Sequence, residues 1–203
     1  MKIICIGKNY LKHVKEMESK VPTKPVFFLK PETAKLTNGK PFFHPEFSEN
    51  IHYEAEIVLK INKVGKHIER KFAHRYYDEI GMGIDFTARD LQANCKKNGL
   101  PWEIAKAFDN SAPLGKFTNK SKIKNINTLN FQLFKNDKEV QHGNTENMIF
   151  DFDTIISYVS QFFTLKIGDL IFTGTPDGVG KVKPGDNLRG LIEGEEFINF
   201  NVK

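Results

Sequence analysis

The stretch IHYEAEIVLKI, residues 51–61, alternates between two kinds of side chain along its whole length. One set is apolar throughout: Ile51, Tyr53, Ala55, Ile57, Leu59 and Ile61. The other set is mostly polar: His52, Glu54, Glu56, Val58 and Lys60. Successive side chains of a strand point to opposite faces of a sheet, so this alternation predicts a half-buried β-strand over 51–61.

Two carboxylates, Glu54 and Glu56, lie side by side on the polar face of this predicted strand. Like charges in this arrangement repel, and Glu is depleted in strands. One explanation is that the polar face is the solvated outside of the sheet, where most charged residues lie. The other is that a hard divalent cation such as Mg²⁺ or Mn²⁺, which prefers carboxylate oxygens, lies between them. The alternation alone leaves both explanations open.

A third carboxylate, Asp85, ends the predicted strand GMGID at a strand-to-helix junction. Side chains at such a junction can reach a shared pocket. Together with Glu54 and Glu56, Asp85 would offer three carboxylate oxygens and leave coordination positions for water or substrate. A turn or helix-capping role is the ordinary alternative for Asp85.

The remaining patterns predict a chain dominated by strands. The segment LNFQLFKNDKEVQHG predicts a hairpin that turns at Asn136-Asp137, and TARDLQANCKKNG predicts a helix capped by Thr87 and ended by Gly99. Predicted strands outnumber helices, and the sequence shows no regular βαβ alternation. A length of 203 residues suits one domain with a sizeable core. We therefore expect one mainly β (α+β) domain, residues 1–203, with a few short helices.

The charge pattern argues against a nucleic-acid partner. The formal net charge is +5 and the pI about 9.0, which raises the question of such a partner. However, 30 Lys and Arg residues are spread among 25 acidic residues without a basic block, and no zinc-finger or RNA-binding signature is present in the sequence. A small anionic substrate accounts for the positive excess equally well.

The cysteines and the apolar segments predict a cytoplasmic protein without a membrane partner. Cys5 and Cys95 are far apart and form no CxxC motif, which indicates free thiols in a reducing compartment. The start of the chain, MKIICIGKNY, has too short an apolar run for a signal peptide, and no run approaches transmembrane length.

The segment GTPDGVGK superficially resembles a phosphate-binding loop but fails the required pattern. A Walker motif needs Gly, four residues, Gly-Lys and then Ser or Thr. Here Thr175 occupies the first position and Val182 the last. The sequence also contains no GxGxxG, GxSxG or HExxH motif.

Three other groups of polar residues are candidates for chemistry. His13 and Glu16 are three positions apart in the predicted helix NYLKHVKEMES, close enough for a hydrogen-bonded acid–base pair. Arg89 and Gln92 share a helix face by the same spacing, and Lys106 follows soon after the single Trp of the chain. Each has an ordinary alternative as a solvated surface residue, so none is specific by itself.

Several blocks of sequence, taken in order, resemble a known family: CIGKNYLKHVKEM, PVFFLKPETA, IHYEAEIVLKI, GIDFTARDLQ, KKNGLPWEIAKAFD and MIFDFDTIISYVSQFFTLKIGDLIFTGTPDGVG. Through them the chain resembles, almost from end to end, the fumarylacetoacetate hydrolase family. The resemblance is strongest to its small single-domain branch of acylpyruvases and oxaloacetate decarboxylases. It implies a mixed β-roll or β-sandwich fold and a homodimer, neither of which follows from the residue patterns alone.

The resemblance also implies roles for individual residues. It implies that Mg²⁺ or Mn²⁺ is bound by Glu54, Glu56 and Asp85. It implies that the catalytic residues are His13, Glu16 and Lys106, and that the substrate is bound by Lys30, Arg89, Gln92 and Thr175. The acid–base pair would lie on a mobile lid of about residues 9–24. One departure is Lys8, where the family usually has Arg in the motif GRNY, because Lys cannot form the bidentate fork of Arg.

The resemblance therefore predicts a divalent-metal-dependent hydrolase that cleaves the C–C bond of acylpyruvates (2,4-dioxo acids) to pyruvate and a carboxylate. The His13–Glu16 pair would activate water, and Lys106 would stabilise the pyruvate enolate. Oxaloacetate decarboxylation passes through the same enolate, so one site could serve both reactions. An alternative within the family is an isomerase or decarboxylase of 2-hydroxyhepta-2,4-diene-1,7-dioate-type compounds. An alternative of another class is a non-catalytic metal-binding protein on the same fold, which would need the carboxylates but not the His13–Glu16 pair.

Overall fold

The computed structural model describes residues 1–37 and 39–203, and most of its regular structure is β-strand. The strands are β1 (Ile3–Gly7), β2 (Val26–Lys30), β3 (Lys35–Thr37), β4 (Ile51–Tyr53), β5 (Ala55–Ile61), β6 (Tyr77–Ile84), β7 (Thr87–Ala88), β8 (Ala112–Asn119), β9 (Asn130–Lys135), β10 (Lys138–Asn144), β11 (Leu170–Phe172), β12 (Gly180–Lys181), β13 (Asn187–Ile192) and β14 (Glu195–Asn201). The α-helices are α1 (Leu11–Glu16), α2 (Arg70–Ala73), α3 (Arg89–Asn98), α4 (Glu103–Lys106) and α5 (Phe152–Phe162). Single turns of 3₁₀ helix lie at Glu32–Ala34, Lys120–Lys122, Ile126–Thr128 and Thr145–Asn147. The predicted mainly β class with a few short helices is confirmed.

The described strands pair into one large sheet and two smaller ones. The large sheet has the strand order β2-β1-β11-β5-β6-β8-β3, and the smaller sheets have the orders β10-β9-β13-β14 and β12-β4-β7. β1 pairs in parallel with β11, and β3 pairs in parallel with β8, while the neighbours of β5 and β6 are antiparallel. The large sheet is therefore mixed, and β5 and β6 lie in its interior.

The single strand predicted over 51–61 is in fact two strands that belong to different sheets. β4 pairs with β7 and β12, whereas β5 pairs with β6 and β11. Glu54 lies at the break, where its carbonyl accepts a hydrogen bond from the Asp85 N–H at 2.8 Å. The explanation of a solvated polar face is wrong, because Glu54 is only 5% exposed and Glu56 only 2%. Hydrophobic clusters lie on both sides of β5, one containing Ile57 and the other Val58.

Two local predictions have mixed outcomes. The hairpin is confirmed, because β9 and β10 join through Asn136 and Asp137, whose φ angles of 51° and 62° suit a tight hairpin turn. Gly99, with φ 64°, ends α3 as predicted. The predicted cap of that helix is wrong, because Thr87 still pairs with β4 and Ala88 precedes the first helical residue.

Cys5 in β1 and Cys95 in α3 are both buried free thiols, as the sequence predicts. The two residues belong to separate elements, and burial keeps both away from solvent. Within the described ranges, no helix has the length and apolar character needed to cross a membrane.

Candidate active site

Three carboxylates from different parts of the chain meet at the large sheet, and we call Glu54, Glu56 and Asp85 the carboxylate floor. Glu54 lies at the break before β5, Glu56 lies within β5, and Asp85 directly follows β6. β5 and β6 are antiparallel neighbours with Ala55 opposite Ile84, so the start of one strand meets the end of the other. One oxygen from each carboxylate lies within 4.8 Å of the other two. The structure therefore brings the three predicted ligands into one cluster.

Cationic side chains contact two of the three floor carboxylates. Lys106, the last residue of α4, donates to Glu54 Oε2 and to Asp85 Oδ2, both at 2.8 Å. Arg89, the first residue of α3, lies with a guanidinium nitrogen 2.5 Å from Glu54 Oε1. Arg89 also donates to Gln92 Oε1 at 2.8 Å, so these two residues share a helix face as their spacing predicts.

Lys30 lies behind the floor and not in front of it. Its buried ammonium nitrogen is 2.8 Å from Asp85 Oδ1, and it donates to the Ser111 carbonyl and hydroxyl oxygens at 3.0 Å each and to the Lys106 carbonyl. An ammonium has three protons, and these contacts use them. Among the described residues that line the cavity in front of the floor, Lys30 does not occur. The geometry favours a role in holding Asp85 and the end of α4, in place of the substrate contact that the resemblance implies.

Burial and charge act in opposite directions on Glu54 and Lys106. Burial would raise the pKa of Glu54, but the positive charges of Lys106 and Arg89 outweigh it and hold that pKa well below its usual range. Burial alone would lower the pKa of Lys106, but the charges of Asp85 and Glu54 raise it. Both groups are therefore ionised at neutral pH, and the contact between them is charge-assisted.

Within the described part of the chain, Glu56 is the floor carboxylate with no Lys or Arg side chain paired to it. Burial raises the pKa of Glu56 well above its usual value, and the charges of Asp85 and Glu54 raise it further. In addition, Asp85 Oδ1 is buried near the Lys30 ammonium but makes no hydrogen bond of acceptable geometry among these residues. Three buried carboxylate oxygens, one of them uncompensated and one without a hydrogen bond, fit a hard divalent cation such as Mg²⁺ or Mn²⁺.

The predicted acid–base pair forms and faces the floor. His13 and Glu16 both lie on α1, and His13 Nδ1 is 3.0 Å from Glu16 Oε2. The other oxygen of Glu16 accepts a hydrogen bond from the Gly178 N–H at 3.0 Å. Because Glu16 engages Nδ1, Nε2 is the ring nitrogen left to exchange a proton with a bound molecule.

The cavity between the pair and the floor has a volume of about 50 Å³. This is room for only a few water-sized groups. Three of the predicted substrate-binding residues line it: Arg89, Gln92 and Thr175. Among the described residues, Arg89 Nε is buried without a hydrogen-bond partner, so one donor remains for an anionic ligand. Four residues from the segment 9–24 close the other side: His13, Val14, Met17 and Ser19.

The loop over residues 173–180, which does not match the phosphate-binding motif, forms hydrogen bonds both to the carboxylate floor and to the His13–Glu16 pair. The Gly174 N–H donates to Glu56 Oε2 at 2.6 Å, and the Gly178 N–H donates to Glu16. Both glycines have left-handed φ angles, +102° and +93°, and a Cβ at Gly178 would lie 2.3 Å from a backbone carbonyl oxygen. Only glycine fits such a position. The sequence pattern does not predict this role, although the glycines and proline of TGTPDGVG mark an irregular loop.

Gln141, in β10, is a second residue that the sequence analysis missed. Its Nε2 donates to Thr175 Oγ1 at 2.9 Å and to the Pro176 carbonyl at 3.1 Å, while its Oε1 accepts from the Ala55 N–H at 2.9 Å. The side chain is 2% exposed, so these bonds form away from water. Gln141 thus joins the loop to the start of β5, and the Thr175 hydroxyl proton is left for another acceptor.

Known proteins resemble this chain over nearly its whole length. Residues 2–201 match the family model described as fumarylacetoacetate (FAA) hydrolase C-terminal. The mitochondrial oxaloacetate tautomerase of Mus musculus is 44% identical over 201 residues, which cover 99% of this chain and 91% of that protein. The mitochondrial oxaloacetate decarboxylase of Dictyostelium discoideum is 41% identical over 194 residues, which cover 95% of this chain and 89% of that protein. The crystal structure of fumarylpyruvate hydrolase from Pseudomonas aeruginosa, in complex with Mn²⁺ and pyruvate, has a TM-score of 0.94 and 35% identity, covering 100% of this chain and 89% of that chain.

Proposed function

We propose that this chain, which belongs to the fumarylacetoacetate hydrolase family, is a metal-dependent enzyme that interconverts the keto and enol forms of oxaloacetate. One observation carries the proposal: a single cavity is lined by the carboxylate floor, by Lys106 and by His13. Such a set of groups can hold a 2-oxo acid, stabilise its enolate and move a proton. The relatives named oxaloacetate tautomerase and oxaloacetate decarboxylase support oxaloacetate as the substrate.

The carboxylate floor is the proposed metal site, with Glu54, Glu56 and Asp85 as ligands of Mg²⁺ or Mn²⁺. When bound, the cation supplies Lewis-acid stabilisation of negative charge on the 2-oxo oxygen of the substrate. The related hydrolase of Pseudomonas aeruginosa that was solved with Mn²⁺ and pyruvate supports this assignment.

His13 is the proposed base that removes a proton from C3 of the keto form. Its Nε2 accepts that proton, and the Glu16 carboxylate against Nδ1 stabilises the resulting imidazolium. Lys106 stays protonated beside the floor and stabilises the enolate oxygen through its positive charge. The enolate oxygen then takes the proton back from His13, which yields the enol and restores the neutral ring.

Arg89, Gln92 and Thr175 are the proposed anchors of the substrate carboxylate next to the 2-oxo group. All three line the cavity, and Arg89 brings a permanent positive charge with a buried donor still available. A carboxylate held there keeps the carbon beside the 2-oxo group within reach of the base, which is the positioning that proton transfer needs.

The loss of enol absorbance in the ultraviolet measures this activity directly. In buffer containing Mg²⁺, we expect the protein to accelerate interconversion well beyond the buffer rate. EDTA should abolish the acceleration, and added Mg²⁺ or Mn²⁺ should restore it. A buffer-level rate with metal-loaded protein would refute the proposal and favour a metal-binding protein without this activity.

Acylpyruvate hydrolysis is a second candidate, favoured by the His13–Glu16 pair. In that reaction His13 takes a proton from water, the hydroxide adds to the distal carbonyl, and the C–C bond breaks to leave a pyruvate enolate and a carboxylic acid. The relative named fumarylpyruvate hydrolase supports this reading. Loss of acetylpyruvate with release of pyruvate would establish the activity, and a panel with oxaloacetate would rank the two reactions by kcat/KM.

The proposed function implies an organisation of the enzyme. We propose that residues 1–203 form one catalytic domain, because the family match spans 2–201. Residues 9–24, which we call the lid segment, are a proposed mobile lid, because four of them line the cavity and its volume of about 50 Å³ is small for a four-carbon acid together with a cation. A homodimer remains a proposal that light scattering would test. A cytoplasmic location also remains a proposal, supported by the two free thiols.

A further inference from the structure

We propose that Lys8 and Lys96 form an anion-binding pair that receives the carboxylate at the far end of a dicarboxylate substrate. Both residues line the cavity that contains the carboxylate floor and His13. The inference rests on the proposed function in one respect, namely that a 2-oxo acid occupies this cavity with its first carboxylate and oxo group toward the floor. It adds the reason why a dicarboxylate would be chosen over a monocarboxylate.

The backbone at Lys8 indicates that its side chain is used. Lys8 has a φ of 59°, a left-handed conformation that costs a non-glycine residue about 1–2 kcal/mol. The next residue, Asn9, fixes this conformation because its side chain donates to the carbonyls of Phe150 and Thr173 and accepts from the Phe150 N–H. Strained residues that are held in this way concentrate at functional sites. Here the strained residue carries an ammonium group at the cavity.

Lys96 belongs to the binding face of α3. Arg89, Gln92 and Lys96 follow one another at helix spacings of three and four, so they share one face, and all three line the cavity. The Lys96 ammonium lies 5.5 Å from the centre of the Trp102 ring, a cation–π contact that holds the charge at the cavity rim. Burial lowers the pKa of Lys96, and the positive charges of Arg89 and Lys8 lower it further, which agrees with their closeness in the cavity.

Lys8 and Lys96 differ from the other cationic side chains of the site in their ion pairing. Arg89 and Lys106 are engaged by floor carboxylates, whereas neither Lys8 nor Lys96 makes a salt bridge with any residue in the described ranges. Lys30, Arg89 and Lys106 pair with two of the three floor carboxylates, so with a bound divalent cation the positive charges of the site outnumber the negative ones. A first substrate carboxylate offsets part of this excess. A second carboxylate, placed between the half-buried Lys8 and the exposed Lys96, relieves the repulsion of two like charges at the rim of the cavity.

Binding of two matched hydroxy acids tests the inference without requiring turnover. L-malate and 2-hydroxybutanoate have the same chain length and differ in a terminal carboxylate against a methyl group. Their dissociation constants should be measured by calorimetry with Mg²⁺ for the parent protein, Lys8→Gly, Lys96→Met and the control Lys97→Met. Lys8→Gly removes the ammonium and relieves the backbone strain, so it should fold. Lys97 is an exposed neighbour on α3 outside the cavity.

The parent protein should bind L-malate at least roughly tenfold more tightly than 2-hydroxybutanoate, because a charge-assisted contact to a carboxylate is lost with the methyl group. Lys8→Gly and Lys96→Met should each reduce this ratio by about three- to tenfold, at the lower end for contacts partly open to water. The same two changes should affect 2-hydroxybutanoate much less, because it has no second carboxylate. Lys97→Met should match the parent, and the conservative variant Lys96→Arg, measured in the same way, should keep most of the ratio.

An unchanged ratio in both variants, or no preference for L-malate in the parent, would overturn the inference. The proposed function fails by a different measurement, because a protein without effect on oxaloacetate tautomerisation can still show the malate preference and its loss in the variants. Conversely, full activity on oxaloacetate with an unchanged ratio would leave the proposed function standing and remove only the pair.

Discussion

The carboxylate floor and the lid segment meet in one cavity but are held in place by different means. Floor residues are 1–5% exposed, and their strands lie inside the large sheet. The lid segment is anchored at its start by the buried Asn9 and Tyr10, but in its six-residue helix, α1, only His13 and Val14 are buried. On the side of the loop, the helix is tied by the hydrogen bond between Glu16 and Gly178. We propose from this contrast that the cation is bound by the rigid sheet, whereas the base lies on a segment that opens.

If this contrast is correct, metal binding and proton transfer can be separated by mutation. Changes in the floor should remove the cation and with it every activity. Changes in the lid segment should remove proton transfer and leave the cation bound.

The largest effect is expected from Glu56→Gln. Neutralising this ligand removes one of three anionic donors, and loss of groups that merely support a ligand already costs about 10–100-fold in metal affinity. We expect metal binding and tautomerase activity to fall to background in calorimetry and in the enol assay. Glu79→Gln is the control, since this residue of β6 is 40% exposed and pairs with Lys60 on the surface. Retained metal binding in Glu56→Gln would show that Glu56 is not a ligand of the cation.

His13→Ala should lower proton-transfer activity by about 10²–10⁴-fold, the usual contribution of general-base catalysis. Its affinity for Mn²⁺ should match that of the parent. Glu16→Gln keeps the size of the side chain but weakens stabilisation of the imidazolium, so its loss should be smaller. Decarboxylation of oxaloacetate should suffer least, because it needs mainly an electron acceptor at the floor. Activity within a few-fold of the parent in His13→Ala would mean that another residue is the base.

Lys30→Met should destabilise the metal-free protein by about 3–5 kcal/mol, because removing one partner leaves the buried charge of Asp85 less compensated. Added Mg²⁺ should recover part of this loss. Lys60→Met is the matched control, since its ion pair with Glu79 is exposed and is worth at most about 1 kcal/mol. Urea denaturation measures both. Equal, small losses would show that Lys30 is not part of the support of the floor.

Gly178→Ala should have the smallest effect on activity. Like changes in the lid segment, it should impair proton transfer and leave the cation bound. The left-handed φ alone costs alanine about 1–2 kcal/mol. The new Cβ would also clash with a backbone carbonyl oxygen 2.3 Å away and so displace the N–H that holds Glu16. We expect kcat to fall less than in His13→Ala, with metal affinity retained. Gly185→Ala has a similar φ of +95° and no atom within 4 Å of the new Cβ, so it should lose stability but keep kcat. Equal kcat in the two variants would show that Gly178 does not support the His13–Glu16 pair.

The parts of the site that sequence can predict are those set by short-range spacing. The i,i+3 pairs His13–Glu16 and Arg89–Gln92 form as predicted, because the helix that contains each pair determines the geometry. The break at Glu54 was not predictable, because it depends on a hydrogen bond from the distant Asp85 N–H. An alternating pattern reads as one strand whether or not its two halves join different sheets.

The residues that hold the functional groups in place were also not predictable from the sequence. Lys30 was assigned to substrate, but its contacts are carbonyls and Asp85, which only the packing of β2 against its neighbours can reveal. Gln141 and Gly174 act through backbone and amide hydrogen bonds between segments remote in sequence. Such contacts leave no periodic signal, because any polar residue or glycine in a loop would look the same.

Hydrogen exchange tests the contrast between floor and lid most directly. Amide exchange should be followed for β5 and for the lid segment, without ligand and with Mg²⁺ plus oxalate, a mimic of the pyruvate enolate. We expect β5 to be strongly protected in both states, because its amides lie in the interior of the sheet. The Met17 and Ser19 amides bond to the His13 and Val14 carbonyls within the lid segment itself, so they should exchange quickly without ligand and slow down when oxalate binds. Strong and equal protection of the lid segment in both states, or exchange of β5 as fast as that of the lid, would contradict this contrast.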